Sequence, residues 1–540
     1  MTAEAMEAGP LPGAVPGAIP GASPERPPGA AADGGSPLRI ALLTYKGNPF
    51  CGGQGVYVRH LSRELVRLGH RVEVIGAQPY PVLDEGEDLR GLSLTELPSL
   101  DLYRSPDPFR TPKRDEYRDW IDALEVATMW TGGFPEPVTF SLRARRHLRA
   151  RRGEFDVVHD NQTLGYGLLG DLGAPLVTTI HHPITVDRRL ELDAAPDWKR
   201  RASVRRWYAF TRMQKRVARR LPSVVTVSGT SRQEIVDHLG VRPDRIDVVH
   251  IGADTDLFSP DPSVAEVPGR IVTTSSADVP LKGLVHLVEA LAKVRTENPA
   301  AHLVVVGKRA EDGPVAAAIE RYGLGGAVDF VKGITDEELV DLVRSAQIAC
   351  VPSLYEGFSL PAAEAMATGT PLLATTGGAI PEVAGADGET CLAVPPGDPE
   401  ALASGLNRLL GDPELRGRLG AAGRERVLAK FTWARAAEGT VAQYREAIAR
   451  SAGRGSSGRS AARGLDRTAA GVSGRSATSS LDRSAAGDPG RSATPSPGRS
   501  ATPASGRSAA QQDPGPTPGP RQTPNTPALA PTPEGSRTPC

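Results

Sequence analysis

Arg39-Ile-Ala-Leu-Leu-Thr-Tyr45 runs into Lys46-Gly-Asn-Pro-Phe-Cys-Gly-Gly-Gln-Gly55, and beyond it Tyr57, Leu61, Leu65 and Leu68 recur at helical spacing. A continuous apolar run, a glycine-rich turn and a one-faced helix make the opening of a strand–helix–strand unit. The run does not alternate with polar residues, so the strand is expected to be covered on both faces, as in a parallel sheet. Glycines after the first strand of such a sheet let the backbone approach a phosphate. The spacing matches neither GxGxxG nor GxxxxGK[ST], which removes the best evidence for dinucleotide or NTPase chemistry; a plain tight turn is the alternative.

Working outward, the same alternation of short apolar strands and longer amphipathic helices recurs twice. The first series continues through Val72–Ile75, Asp156–His159, Pro175–Ile180, Ser223–Val227 and Asp247–Ile251. The second runs through Arg270–Thr274, His302–Val306, Val328–Val331, Ile348–Val351 and Pro371–Thr375, with only helices after about residue 398. The fold class is therefore α/β: an acceptor-side Rossmann-like domain over 38–255 and a donor-side one over 256–430, facing each other across a cleft. A last helix, 431–450, is expected to cross back onto the first domain. Residues 80–150 have weak periodicity and read as an insertion that decides the acceptor.

The ends differ in kind. Residues 1–37 are Ala, Pro and Gly with few large apolar side chains and are expected to be disordered. From 451 to 540 an arginine recurs every eight residues, from Arg459 to Arg507, without an apolar face, so this octapeptide-repeat tail is also expected to lack structure. Lys plus Arg and Asp plus Glu both number 63, which gives no global field to collect nucleic acid. Cys51, Cys350, Cys391 and Cys540 are scattered and form no CxxC pair, which argues against zinc or a disulfide framework. With no signal-like start and no apolar run of about 20 residues, the expected location is cytoplasmic. The basic, aromatic stretch 198–220 is the one candidate for peripheral contact with the inner face of a membrane.

Glu356-Gly-Phe-Ser-Leu-Pro-Ala-Ala-Glu364 follows the strand that ends at Val351. Pro361 suits a first helical position, which puts Glu356 in the loop and Glu364 in the first helical turn. Two carboxylates would then face one cleft beside free backbone N–H groups, an arrangement suited to a sugar diphosphate. These nine residues resemble the E-x7-E element of retaining GT-B glycosyltransferases of family 4. Gly52-Gly53, His181, Ser228, Gly252-Ala-Asp254 with Phe258, Lys282-Gly283, Gly377-Gly378 with Pro381-Glu382, and Gly388-Glu-Thr are similar to family elements in the expected order, over about residues 38–450.

The resemblance implies transfer of a hexosyl group from a UDP- or GDP-sugar to a hydroxyl acceptor with retention. It implies His181, Glu356 and Lys282 as catalytic residues, and Gly53, Lys282, Arg309, Phe358, Ser359, Leu360 and Glu364 as donor-binding residues. Within that set Lys282 binds the diphosphate, Glu364 the ribose hydroxyls and Glu356 the transferred sugar. No cofactor and no metal are implied, since an ammonium and a helix N-terminus can meet the leaving group's charge. Asp254-Thr-Asp256 copies a DxD metal motif but falls in the domain linker. One departure stands out: the family's second phosphate clamp, an Arg five residues before the Lys, is Ala277 here, and Arg309 is the candidate substitute.

Adjacent residues leaving a strand point apart, so His181-His182 suits one catalytic histidine better than a metal pair. His159-Asp-Asn-Gln162 ends another strand at the same edge; His159 and Asn161 either line the acceptor side or are satisfied core polar groups. The acceptor itself, a small molecule, glycan or lipid, is not legible. The alternatives to a transferase are a nucleotide-sugar epimerase and an inactive nucleotide-sugar-binding protein.

Overall fold

The computed structural model describes residues 35–47, 53–104, 107, 109–195, 197–275, 279–309 and 313–469. The expectations for 1–34, 470–540, Gly52 and Ala277 lie outside them.

The first sheet has seven strands: β1 Arg39–Thr44, β2 Arg71–Gly76, β3 Leu92–Glu96, β4 Val157–Asn161, β5 Leu176–Thr179, β6 Val224–Thr226 and β7 Ile246–Val248. All pairs are parallel, in the order β3-β2-β1-β4-β5-β6-β7. The second has six: β8 Val267–Thr274, β9 His302–Val306, β10 Val328–Val331, β11 Ala346–Val351, β12 Leu372–Thr375 and β13 Leu392–Val394. Its order is β10-β9-β8-β11-β12-β13, again all parallel. Each sheet reverses its winding once, between β1 and β4 and between β8 and β11. The crevices outside the carboxyl ends of those strands are where open α/β sheets take ligands.

The unbroken apolar character of β1 has its cause in packing. Ile40 and Leu42 point into one buried cluster with Leu61 and Leu65 of the helix Gly53–Arg67. Ala41 and Leu43 point the other way, into a cluster with Phe140 and Leu148 of the helix Glu136–Ala150. Period-two alternation thus fills two cores from one strand, each fully buried Leu or Ile contributing about 1.5–3 kcal/mol.

Three expectations need correction. Residues 80–150, expected as an insertion, supply the edge strand β3, the helix Trp120–Trp130 and the helix Glu136–Ala150, the last of which covers one face of the sheet. The apolar period was hidden because the buried face of Glu136–Ala150 carries Arg143, which donates to Asp122 Oδ1 at 2.6 Å and also pairs with Glu125. β13, Leu392–Val394, adds a strand beyond those expected. The last helix runs Trp433–Ala469, past the expected end at 450; no proline occurs between Pro413 and Pro489 to stop it. Its fully buried Tyr444 reaches β4, the hydroxyl lying 2.7 Å from His159 Nδ1.

Candidate active site

The second sheet's switch point is assembled by two glycines. Gly283 ends the short 3-10 turn Pro280–Lys282 with φ 64°, and a Cβ there would lie 2.0 Å from the Pro352 carbonyl oxygen. Only glycine lets the loop after β8 dock on the loop after β11. The Leu354 N–H then donates to the Leu281 carbonyl at 2.8 Å, and Lys282 Nζ donates to Glu356 Oε1 at 2.8 Å. Gly378, φ 63°, plays the same part for the loop after β12, since its Cβ would meet the Glu356 carbonyl oxygen at 2.3 Å. Ser353 Oγ also donates to Glu356 Oε1, at 2.8 Å. The Glu356 carboxylate is thereby fixed from β8 and β11 at once.

Behind it the helix Leu360–Ala367 begins at Ser359, whose φ of 98° and ψ of 78° are sparsely populated for a residue with a side chain. Ser359 is buried, its Oγ has no hydrogen-bond partner, and it gives the helix no side-chain cap. Pro361 is the second helical residue and Glu364 the fifth, so Glu364 opens the second turn rather than lying in the first. Its carboxyl has no hydrogen-bond or ion-pair partner among the described residues. Burial, with the nearby Asp336 and Asp254, pushes it up to about 7.

Across the cleft, β5 delivers His181. Its N–H donates to Gln162 Oε1 at 2.6 Å, and its Nε2 lies 2.8 Å from Asn161 Oδ1. The Tyr57 ring stands edge-on to it at 4.7 Å. Burial, with His182 and His159 beside it, holds His181 down to about 3, so the imidazole is neutral. His182 diverges toward Asp187, 3.1 Å away; burial works against its proton, but Asp187 more than offsets that and His182 is raised. The two histidines share no ligand geometry, and among the described residues no group of three His, Cys, Asp or Glu is placed to hold a metal. Asp254 is engaged otherwise, 2.9 Å from Arg63 and accepting the Asp256 and Leu257 N–H groups.

The two halves meet directly. Ser228 Oγ, which caps the helix Gly229–Glu234, donates to the Gly357 carbonyl at 2.7 Å, and Ser231 Oγ donates to the same oxygen at 3.2 Å. In the reverse sense, Glu382 accepts the Gly229 and Thr230 N–H groups, both at 2.8 Å, and the Thr230 hydroxyl at 2.7 Å. Gly357 also lies against His181 and His182: a Cβ on it would be 3.5 Å from the His181 carbonyl oxygen.

The structure therefore brings Lys282, Glu356, Ser359, Leu360 and Glu364 together at one sheet edge, with His181 facing them. It separates others. His159 is fully buried, with Tyr444 on one ring nitrogen and Thr179 Oγ1 at 2.7 Å on the other, so it is a satisfied core group and not an acceptor contact. Asn161 is buried too and orients His181. Phe358 turns its ring away from the loop to pack on Phe431, 5.7 Å away. Arg309 is exposed after β9, over the Phe330 ring at 6.0 Å. Gly53 opens its helix with nothing within 4 Å of where a Cβ would stand. Gln162, Ser231 and Glu382 received no role from the sequence, because each acts through a partner distant in the chain, and neither did Ser353, three residues before Glu356.

Residues 260–426 match Glycosyl transferases group 1, and residues 51–257 match Glycosyltransferase Family 4. The chain is 53% identical over 415 residues to an MMP alpha-(1->4)-mannosyltransferase of Mycolicibacterium hassiacum, covering 76% of this chain and 99% of that protein. It is 27% identical over 444 residues to a D-inositol 3-phosphate glycosyltransferase of Corynebacterium glutamicum, covering 76% and 97%. Among solved structures, sucrose-phosphate synthase from Thermosynechococcus elongatus superposes with a TM-score of 0.57 at 25% identity, covering 76% of this chain and 99% of that one. These relatives favour a transferase over an epimerase. Two parallel-sheet domains, the Lys282–Glu356 loop pair and the matches on both halves together place the chain in glycosyltransferase family 4, with the GT-B fold.

Proposed function

We propose that the protein transfers a hexosyl group, a mannosyl group by analogy with its 53%-identical relative, from a nucleoside-diphosphate sugar to a hydroxyl acceptor with retention at the anomeric carbon. The observation that carries this reading is the Glu356–Glu364 segment. A cation held at 2.8 Å, an uncapped helix start with a strained Ser359 and an unpartnered carboxyl stand in sequence at one switch point. Lys282 and the backbone N–H groups at the start of Leu360–Ala367 meet the diphosphate, and Ser359 Oγ gains the partner it lacks. Glu364 accepts from the ribose hydroxyls. Neutral His181 holds a hydroxyl of the reacting sugar.

Charge develops on the leaving diphosphate beside Lys282, so no metal is required. Glu356 Oε1 is already engaged by Lys282 and Ser353, which leaves it a poor nucleophile. The departing phosphate oxygen therefore takes the acceptor's proton on the same face as bond formation, and the anomeric configuration is retained. The test is calorimetric titration with UDP, GDP and ADP in EDTA, wild type against Glu364→Ala. Micromolar binding of one of them, lost in the variant, supports the reading, and binding of none overturns it. NMR of the product from an α-linked donor then reads the stereochemistry, a β linkage excluding retention.

A further inference from the structure

The first sheet has its own switch point, where the winding reverses between β1 and β4, and the side chains there are poorly satisfied. Glu136 is the first residue of its helix, and its Oε2 is buried without a hydrogen bond. The nearest cation, Lys46 at the carboxyl end of β1, stands 3.9 Å off with half its side chain in solvent. Gln54 Oε1 is likewise buried and unpaired. The Gln54 side-chain amide donates to the Tyr45 hydroxyl, which also feels Glu136 and Asp160, so these groups stand in one cluster. A buried acceptor left unpaired costs about 1–3 kcal/mol, and native proteins keep few of them. Two at the ligand crevice of one sheet call for a ligand that supplies donors.

The surroundings fix its charge. Lys46 is opposed by Glu136, and the neighbouring Arg143 is consumed by Asp122 and Glu125. Both of these cations already face carboxylates. The Glu136 carboxyl is pushed up to about 7 by burial and by Glu125 and Asp101, with Lys46 acting against them, so an anion placed beside it would be repelled. Lys46 is pre-positioned over the Phe134 ring at 4.9 Å, and Phe134 is wedged against Tyr103 and Trp207.

On the transferase reading above, we propose that Glu136, Gln54 and Lys46 form the acceptor subsite for an uncharged, polyhydroxylated molecule. Its hydroxyls donate to Glu136 Oε2 and Gln54 Oε1 and accept from Lys46 Nζ. Sugar rings offer that pattern; phosphate monoesters do not.

The experiment uses the full chain as wild type, Glu136→Gln and Lys46→Met, the second altering a half-exposed side chain. Transfer is followed with the donor chosen by the nucleotide titration and with methyl α-mannoside, methyl α-glucoside and mannose 6-phosphate as acceptors. The expected result is an acceptor KM raised roughly tenfold or more in both variants, with nucleoside-diphosphate affinity and donor hydrolysis by water within about twofold of wild type. A neutral glycoside should also outperform mannose 6-phosphate. Unchanged acceptor KM in both variants, or preference for the phosphate ester, overturns the proposal while leaving the transferase reading standing. Failure of the wild type to bind any nucleoside diphosphate overturns both, and is recognisable because the first titration already shows it.

Discussion

Glu364 carries opposite consequences for stability and for binding. Its folded value of about 7 lies above the ordinary 4.5, so the native state holds a proton that the unfolded state releases. Between those values stability falls as pH rises, and the deficit is complete above about 7. Glu364→Gln should therefore raise the melting temperature by a few degrees at about pH 8 and by much less at about pH 5, read by scanning calorimetry. Donor binding runs the other way, because the ionised carboxylate is the stronger acceptor for paired hydroxyls. Wild-type affinity for the nucleoside diphosphate should strengthen as pH rises through about 7, and Glu364→Gln should lose both that dependence and roughly tenfold in affinity. A variant that binds as tightly as wild type at the higher pH would remove Glu364 from the site. His181 belongs to a different case: held near 3, it stays neutral over the working range. His181→Ala should lower kcat by roughly a hundredfold without changing nucleoside-diphosphate affinity, and the pH profile should show no inflection belonging to His181.

At the level of elements, the short helix Gly229–Glu234 shows how a cap can be more than a cap. Ser228 accepts the Ser231 N–H at 3.0 Å, satisfying one of the helix's unpaired donors, and its proton goes to Gly357 in the other half. Ser228→Ala should cost about 1 kcal/mol as an ordinary lost N-cap, measured by denaturant unfolding. It should also lower kcat, because Gly357 adjoins Glu356; Ser228→Thr should restore both. Loss of stability with kcat intact would make Ser228 a cap alone. What the sequence disclosed follows the same division. Strands buried on both faces announced themselves as apolar runs, and the glycine–lysine and Glu356–Glu364 segments were legible because their chemistry is local. β3 was not, since as an edge strand it is half exposed and reads as polar. Neither was Glu136–Ala150, whose buried arginine breaks the apolar pattern. His159 looked like a site residue because a histidine at a strand's end does so until Tyr444, 285 positions later, is seen to occupy it.

For the whole molecule, the contacts between the halves differ in how they respond to salt. Arg59 reaches Asp336 at 3.5 Å, but both side chains are partly in solvent, so that pair is screened and worth little. Glu382 makes charge-assisted hydrogen bonds to two backbone N–H groups and a hydroxyl, at 2.7 to 2.8 Å, at the start of a helix. Burial works against its charge, but Thr230 and those N–H groups outweigh it and hold the carboxyl below its ordinary range. A latch of this kind is not an ion pair, has no cation to lose to salt, and stays ionised well below neutral pH. Raising salt from about 0.05 to 0.5 M should therefore leave the small-angle scattering radius of the ligand-free protein unchanged, although the Debye length shrinks several-fold. Glu382→Ala should enlarge that radius at both salt concentrations and raise donor KM, since the helix Gly229–Glu234 then loses Glu382 and keeps the Ser228 and Ser231 bonds to Gly357 as its hold on the opposite half. Acidification should reproduce the opening only below the ordinary carboxyl range, where Glu382 takes up its proton. If salt opens wild type as much as Glu382→Ala does, the halves are held by Arg59–Asp336 and its like, and the helix Gly229–Glu234 rests on Glu382 without being held by it.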